Sequence, residues 1–442
     1  PPIHTVSGFL KTYENLLRYK NTIRKIIIML PSDESAIQAS QLPRVIRALR
    51  NRNFRLFWFG QIVSLTGTWM QTVAQSWLVY KLTDSPFMLG LVNVVGLLPV
   101  VPISLLAGVI SDRFSRRNLI IIADAILTLQ AFAIAILTWL NIIQVWHVIL
   151  LSFILGAAAA LEQPARLAFV VDTVGKEELT NAVALNTSVF NTARIIGPSL
   201  AGITVAWIGE AAAFFINGIT YVVVILALLA IRLPDQTLPR SKARVAGSMI
   251  NGFRFVWKEH TIRALMLVVA TASFFTMSFV ALATIFAEDV LRVGSVGMGL
   301  LMTAVGVGAL IGALFVANLE DGHRGKWLTW SNVIGPILLI AFCVSHSLVL
   351  SMALIALVAA SSAIRQTLAN SLIQIATPQE YQGRVMSIFN LLFNGMGRIG
   401  VMGIGGLAEF TGIAFAVGMG AILSLLLGLF VVWKAPQVYR LT

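Results

Sequence analysis

Phe87–Leu140 reads FMLGLVNVVGLLPVVPISLLAGVISDRFSRRNLIIIADAILTLQAFAIAILTWL. Two long apolar runs flank a seven-residue polar joint, Ser111 to Arg117, that holds Asp112, Arg113, Arg116 and Arg117. A helix needs about 20 apolar residues to cross the hydrocarbon of a bilayer. The stretch therefore reads as two antiparallel crossings joined by a short charged turn. Working outward, the same pattern recurs along the chain. Twelve apolar segments lie at about 54–80, 87–110, 118–140, 145–164, 181–207, 211–231, 264–287, 295–318, 327–345, 348–374, 384–408 and 413–433. They lack the strict alternation of a barrel, and only helices or closed barrels satisfy the backbone in lipid. The composition agrees: 57% of the 442 residues are apolar and 12% charged, with mean hydropathy +0.85. A soluble domain carries about 25% charged residues, so a soluble enzyme, a disordered chain and a fibrous protein are excluded.

The formal charge of +13 would suggest nucleic acid in a soluble protein. Here its distribution explains it. With the N-terminus placed in the cytoplasm, 27 of the 32 Lys and Arg fall on the inner side and two, Lys81 and Arg292, on the outer side. The inside-positive bias of membrane proteins thus predicts an even number of spans, both termini inside, in the plasma (inner) membrane. Residues 1–43 read as a polar cytoplasmic leader, 44–231 as a first six-helix bundle, 232–263 as a central cytoplasmic loop and 264–442 as a second six-helix bundle. Within the loop, Met249, Phe253, Val256 and Trp257 recur at helical spacing, which predicts an amphipathic helix on the membrane surface. A shift of 204 residues superimposes Asn186 on Asn390, Arg194 on Arg398, Gly202 on Gly406 and Gly108 on Gly312. Two halves related by a parallel repeat suit a transporter with its site between them at the bilayer midplane.

Several motifs carry a resemblance. Gly108-Val-Ile-Ser-Asp112-Arg113-Phe-Ser-Arg116-Arg117 resembles the cytoplasmic loop signature of the major facilitator superfamily, and Arg194-Ile-Ile-Gly197-Pro198-Ser-Leu-Ala-Gly202 resembles the span-five glycine–proline motif of its exporters, with Ala201 where glycine is commoner. Arg47–Trp58, Gly67–Gln71, Pro164–Arg166 and Asn181–Asn186 are similar to the branch holding enterobactin exporters and macrolide efflux proteins. The resemblance spans about 44–440. It implies an all-α fold of twelve transmembrane helices in two pseudo-symmetric six-helix bundles, alternating access and proton-coupled export. In that setting Gly108 permits close helix approach, Asp112 faces a helix N-terminus across the interface between halves, and Arg113 pairs with a carboxylate, for which Glu162 is the candidate. The second half lacks the equivalent acid after Gly312. Pro198 kinks span five.

Polar side chains inside spans are costly and face a cavity or a partner. Gln61, Ser64, Thr68, Gln71, Thr72 and Gln75 share one face of span one and form the expected substrate-facing stripe, the alternative being hydrogen bonds between helices. Gln366 in span ten, with Asn390 and Asn394 in span eleven, extends it. Trp69 and Trp77 can stack on an aromatic ligand or pack. Arg194, Arg365 and Arg398 lie within spans and need a carboxylate, carbonyls or an anionic ligand. Asp124 and Glu162 are the in-membrane carboxylates able to exchange a proton. With Arg365 and Arg398 they form the expected charge relay; the alternative is a fixed ion pair. Cys343, the single cysteine, reads as a packed thiol, and the five scattered His offer no metal site.

The expectation is thus a monomeric secondary transporter, not an enzyme, without cofactor or metal. Its partners are a small organic cargo such as a siderophore, drug or secondary metabolite, protons and the bilayer, and no nucleic acid. A lipid or lysophospholipid transporter or flippase is the alternative, and a membrane receptor a more distant one.

Overall fold

The computed structural model describes residues 44–100, 102–103, 115–174, 178–231, 246–319 and 322–434. Gly108, Asp112 and Arg113 lie outside the described residues, as does the leader 1–43. After a 3-10 turn at Arg44–Arg50 come α1 (Arg52–Thr83), α2 (Pro86–Leu97), α3 (Arg116–Trp139), α4 (Val145–Val174), α5 (Leu179–Trp207) and α6 (Glu210–Ala230). The second set comprises α7 (Ala246–Lys258), α8 (His260–Val290), α9 (Gly294–Ala317), α10 (Arg324–Cys343), α11 (Leu348–Ala376), α12 (Gln379–Thr411) and α13 (Ile413–Lys434). Three of the starts are capped by side chains. Asn51 accepts from the Asn53 and Phe54 amides, Ser85 from Met88, and Ser115 from Asn118. Asp84 ends α1 in the left-handed conformation, and Pro86 sits in the first turn of α2.

The described parts of eleven of the twelve apolar segments fall on long helices, and the first part of the second, 87–110, falls on α2. Among the described residues, α3, α4, α6 and α8 to α13 are each long and apolar enough to cross a membrane. The other three differ for stated reasons. α1 and α5, with 32 and 29 residues, are long enough but carry many polar side chains, and α2 is a helix of 12 residues, Pro86–Leu97. α4 runs ten residues past the expected end of its span, with Pro164 inside the helix. There the hydropathy falls off before the helix ends. α8 is interrupted by two π-helical turns, Ser273–Met277 and Phe286–Val290.

In the first half α1 packs on α5 and α6, and α3 on α4 and α6. In the second, α11 packs on α9 and α10, and α13 on α10. The halves meet along two seams, α2 with α12 and α5 with α9. The 204-residue repeat exchanges α2 with α9 and α5 with α12, so it exchanges the two seams. Both are close crossings. A Cβ on Gly202 of α5 would stand 2.7 Å from the Ser295 carbonyl oxygen and 3.0 Å from the Gly299 Cα on α9. One on Gly90 of α2 would stand 2.6 Å from the Met402 amide nitrogen on α12.

The core is distributed unequally along the molecule. At the expected outer end one continuous apolar cluster joins both halves, from Leu78, Leu89 and Phe214 to Phe279, Phe286, Phe342 and Ile404. At the opposite end each half keeps its own cluster, around Phe54, Phe57 and Phe169 in one and Leu265, Leu372 and Phe389 in the other. Among the described residues, the halves therefore share one apolar core at one end and keep separate cores at the other. The segment that carries the amphipathic pattern lies on α7. It rests on α12, where Phe255 stacks on Tyr381 with ring centroids 4.5 Å apart, while Phe253 and Trp257 remain exposed.

Candidate functional site

Between the halves, beneath the shared core, lies a cavity of about 290 Å³. α1 contributes Trp69, Thr72 and Ser76, α2 Asn93, and α5 Arg194 and Pro198. The second half contributes Phe279, Met298 and Met302, then Ser362 and Gln366 from α11, and Phe393, Asn394 and Arg398 from α12. Apolar and aromatic walls with few polar groups are the usual form of a small-molecule site. Pro198 shapes its part of the wall. It has no N–H to give the carbonyl four residues back, which belongs to Arg194, so the helix loses a bond beside the arginine that faces the cavity.

Of the residues expected to face the substrate, Gln366 and Asn394 line this cavity, and so do Arg194, Pro198 and Arg398. Asn390 is exposed one turn further along α12 and lies outside the lining. Of the expected stripe on α1, Thr72 lines the cavity, while the others are placed differently from the expectation. Gln61, Thr68, Gln71 and Gln75 bond to α3, α4 and α6 inside the first half, and Ser64 is buried. Gln71 donates to Gln130 Oε1 at 2.9 Å and accepts from Asn217 Nδ2 at 2.7 Å. Gln75 donates to Ser152 Oγ at 3.0 Å, the Thr68 hydroxyl lies 3.1 Å from Tyr221 Oη, and Gln61 accepts from Arg166 at 2.8 Å. The physical reason is that a buried amide must find partners, and neighbouring helices supply them permanently. The cavity face of α1 is the adjacent row Trp69, Thr72 and Ser76, itself at helical spacing; that periodicity was the available signal. Gln71→Ala is expected to leave the Gln130 and Asn217 amides unpaired. That loss lowers stability by about 1–3 kcal/mol, seen as a reduced Tm, with ligand affinity unchanged.

The charged groups separate into distinct places. Glu162 pairs with Arg166 on the same helix at 3.4 Å, Arg166 reaches on to Gln61, and Asp124 lies within electrostatic range of both. Asp124 is 1% exposed and its Oδ2 has no hydrogen-bond partner among the described residues. The expected partner of Glu162, Arg113, lies outside the described residues, and Arg166 occupies that role here. Arg365 is buried in the second half against the Ser362 hydroxyl at 3.0 Å and the Ser331 carbonyl at 3.4 Å. No hydrogen bond or ion pair among the described residues joins Arg365 or Arg398 to the Asp124 and Glu162 pair, so the four do not form one relay. The basic pair ending the loop motif acts within the first half: Arg116 binds Asp172 at 2.6 Å and Arg117 the Leu229 carbonyl at 3.1 Å. Gly197 of the span-five motif packs against Trp69 on α1. Among the described residues there is no cluster of three metal-ligating side chains.

Two cross-half contacts at the shared-core end were not foreseen. Tyr80 on α1 donates to Asp289 on α8, and Ser85 ahead of α2 donates to Glu409 on α12. Each partner reads alone as an ordinary polar residue at a span end, and only the fold brings them together.

The chain matches the model of the transmembrane secretion effector family over residues 45–438. It is 27% identical to the multidrug efflux pump Tap of Mycolicibacterium fortuitum, aligning 81% of this chain with 90% of that one. It is 26% identical to the enterobactin exporter EntS of Salmonella typhi (84% and 90%) and 24% identical to the staphyloferrin A transporter of Staphylococcus aureus (76% and 84%). Its fold is similar to that of the nucleoside transporter NupG, with a TM-score of 0.70 at 13% identity, covering 88% of this chain and all of that one. It is also similar to an inward-facing, occupied bacterial homolog of the lysosomal transporter Spinster, with a TM-score of 0.64 at 15% identity, covering 89% and 96%.

Proposed function

The chain belongs to the transmembrane secretion effector family, within the major facilitator superfamily, and from that membership we propose that it is a secondary active exporter of a small organic molecule. The observation that carries this reading is the central cavity, lying under a core shared by both halves at one end and between separate cores at the other. A site exposed to one side at a time is what alternating access requires. The family membership and the export functions of Tap and EntS support the outward direction.

In this reading the protein is a multi-pass monomer of the plasma membrane with both termini in the cytoplasm, supported by the inner-side excess of Lys and Arg. The shared-core end is then external and the conformation inward-facing. Export is coupled to protons, taken up and released at Asp124 and Glu162, two buried carboxylates that share one arginine.

The deciding experiment is uptake into everted membrane vesicles of a panel of siderophores and antibiotics, with and without a proton gradient. Accumulation of one compound only when the chain is present and the gradient imposed is the expected result. Gradient-independent movement of lysophospholipid, with no accumulation of the panel compounds, would replace export by lipid transport. Asp112→Asn is expected to slow uptake by about tenfold or more, because the loop signature assigns that carboxylate to the charge–dipole contact between halves. Normal uptake by a well-expressed variant would remove the latch assignment.

A further inference from the structure

Arg194 and Arg398 stand 204 positions apart, at equivalent places in the two halves, and both line the central cavity. They differ from the other arginines of the interior. Arg116 and Arg166 each have a carboxylate, and Arg365 has a carbonyl and a hydroxyl. Arg194 and Arg398 have no ion pair among the described residues. Arg194 makes one hydrogen bond, to the Asn191 amide oxygen on its own helix at 3.2 Å, and its Nε is buried without a partner. Arg398 donates to no described residue. The described lining contains no Asp or Glu. A cation withdrawn from water without a counter-charge is unfavourable, and here two face one chamber from opposite sides. The rest of the wall, with Trp69, Phe279, Phe393 and Met302, is aromatic and apolar.

We infer that Arg194 and Arg398 form a two-armed anion clamp and that the cargo is an organic acid, with anionic groups mounted on an apolar or aromatic body. This rests on the export reading above and narrows its substrate class. A guanidinium matches a carboxylate, sulfonate or phosphate with two parallel hydrogen bonds, and the aromatic wall takes the body. A lipophilic cation of the same size meets two like charges and no carboxylate. Because the arms come from different halves, a bound dianion also ties the halves across the cavity and cancels the repulsion between the two guanidinium groups. The uncharged Gln366 and Asn394 amides beside them serve whichever polar atoms the acid groups leave over.

The test uses the full chain in lipid nanodiscs and three probes on one ring system: naphthalene-2,6-dicarboxylate, its neutral diamide, and 2,6-bis(aminomethyl)naphthalene. Calorimetric titration is expected to show the dicarboxylate binding about tenfold or more tighter than the diamide, and the diamine not at all. Arg194→Gln and Arg398→Gln are each expected to weaken the dicarboxylate about tenfold and the diamide less than about threefold. Arg194→Lys and Arg398→Lys, which keep the charge but lose the paired hydrogen bonds, are expected to fall between the parent and the Gln variants in dicarboxylate affinity. The proposal is overturned if the diamide or diamine binds as well as the dicarboxylate, if none of the three binds, or if the Gln variants keep the dicarboxylate. It is also overturned if the Lys variants lose it as fully as the Gln variants, since the positive charge would then contribute nothing to binding. Dicarboxylate binding that meets these criteria, without its accumulation in everted vesicles, leaves the clamp standing and counts against export alone.

Discussion

In everted vesicles the double variant Asp124→Asn, Glu162→Gln exports at one rate whether or not a pH gradient is imposed. The expectation follows from the charge balance inside the first half. Two carboxylates, on α3 and α4, share the single guanidinium of Arg166, and the next polar neighbours, Gln61 and the Tyr221 and Thr68 hydroxyls, are uncharged. Such a trio can hold one exchangeable proton and stay near neutrality, whereas its amide version has nothing to exchange. One proton crossing 100 mV is worth about 2.3 kcal/mol, a bias of tens-fold in accumulation. The parent is therefore expected to accumulate its cargo by about that factor above the variant. Downhill efflux should persist in the variant, because neither carboxylate lines the cavity. Gradient dependence retained by the double variant would move the proton site elsewhere.

Gly90→Leu is expected to slow turnover by hindering closure of the expected outer end. Gly90 lies on the seam where α2 crosses α12, and any side chain there runs into the Met402 backbone, which cannot step aside as a flexible side chain would. Overpacking of this kind costs about 1–3 kcal/mol. That cost falls on one state only, the one in which the two helices touch, so transport through that state slows by about fivefold to 150-fold. A companion measurement separates a wedge from misfolding. With Cys343→Ser and Ser76→Cys in the same chain, an impermeant maleimide added to intact cells should label the cavity cysteine in the Gly90→Leu protein and spare it in the parent. Equal labelling of both would show that the seam does not control access.

Much of the architecture can be read from the chain because lipid imposes a length requirement that apolar runs either meet or fail. The repeat could be read as well, and it pointed to Arg194 and Arg398, the two charges the fold sets into one cavity. The stripe from Gln61 to Gln75 shows where reading stops. Helical spacing places side chains on a common face but does not say whether that face looks into a cavity or onto a neighbouring helix. Gln71, held by Gln130 and Asn217, lies on the second kind of face, while Trp69 and Ser76, on the adjoining row, lie on the first. The contacts between Tyr80 and Asp289 and between Ser85 and Glu409 were illegible for another reason. Each joins residues more than 200 positions apart, and nothing local to either partner announces the other.

The two π-helical turns of α8 have an effect on specificity as well as shape. A π turn holds one residue more than the α turn it replaces, so each shifts the phase of the helix beyond it by about 100°. Phe279 is aimed at the cavity by the first shift, and Asp289 reaches Tyr80 after the second begins. Loss of a single residue within Ser273–Met277 would restore regular winding and present a different row of side chains to the cargo, with no substitution anywhere in the wall. Along this helix a one-residue change of length is thus expected to act on specificity as a substitution in the wall would.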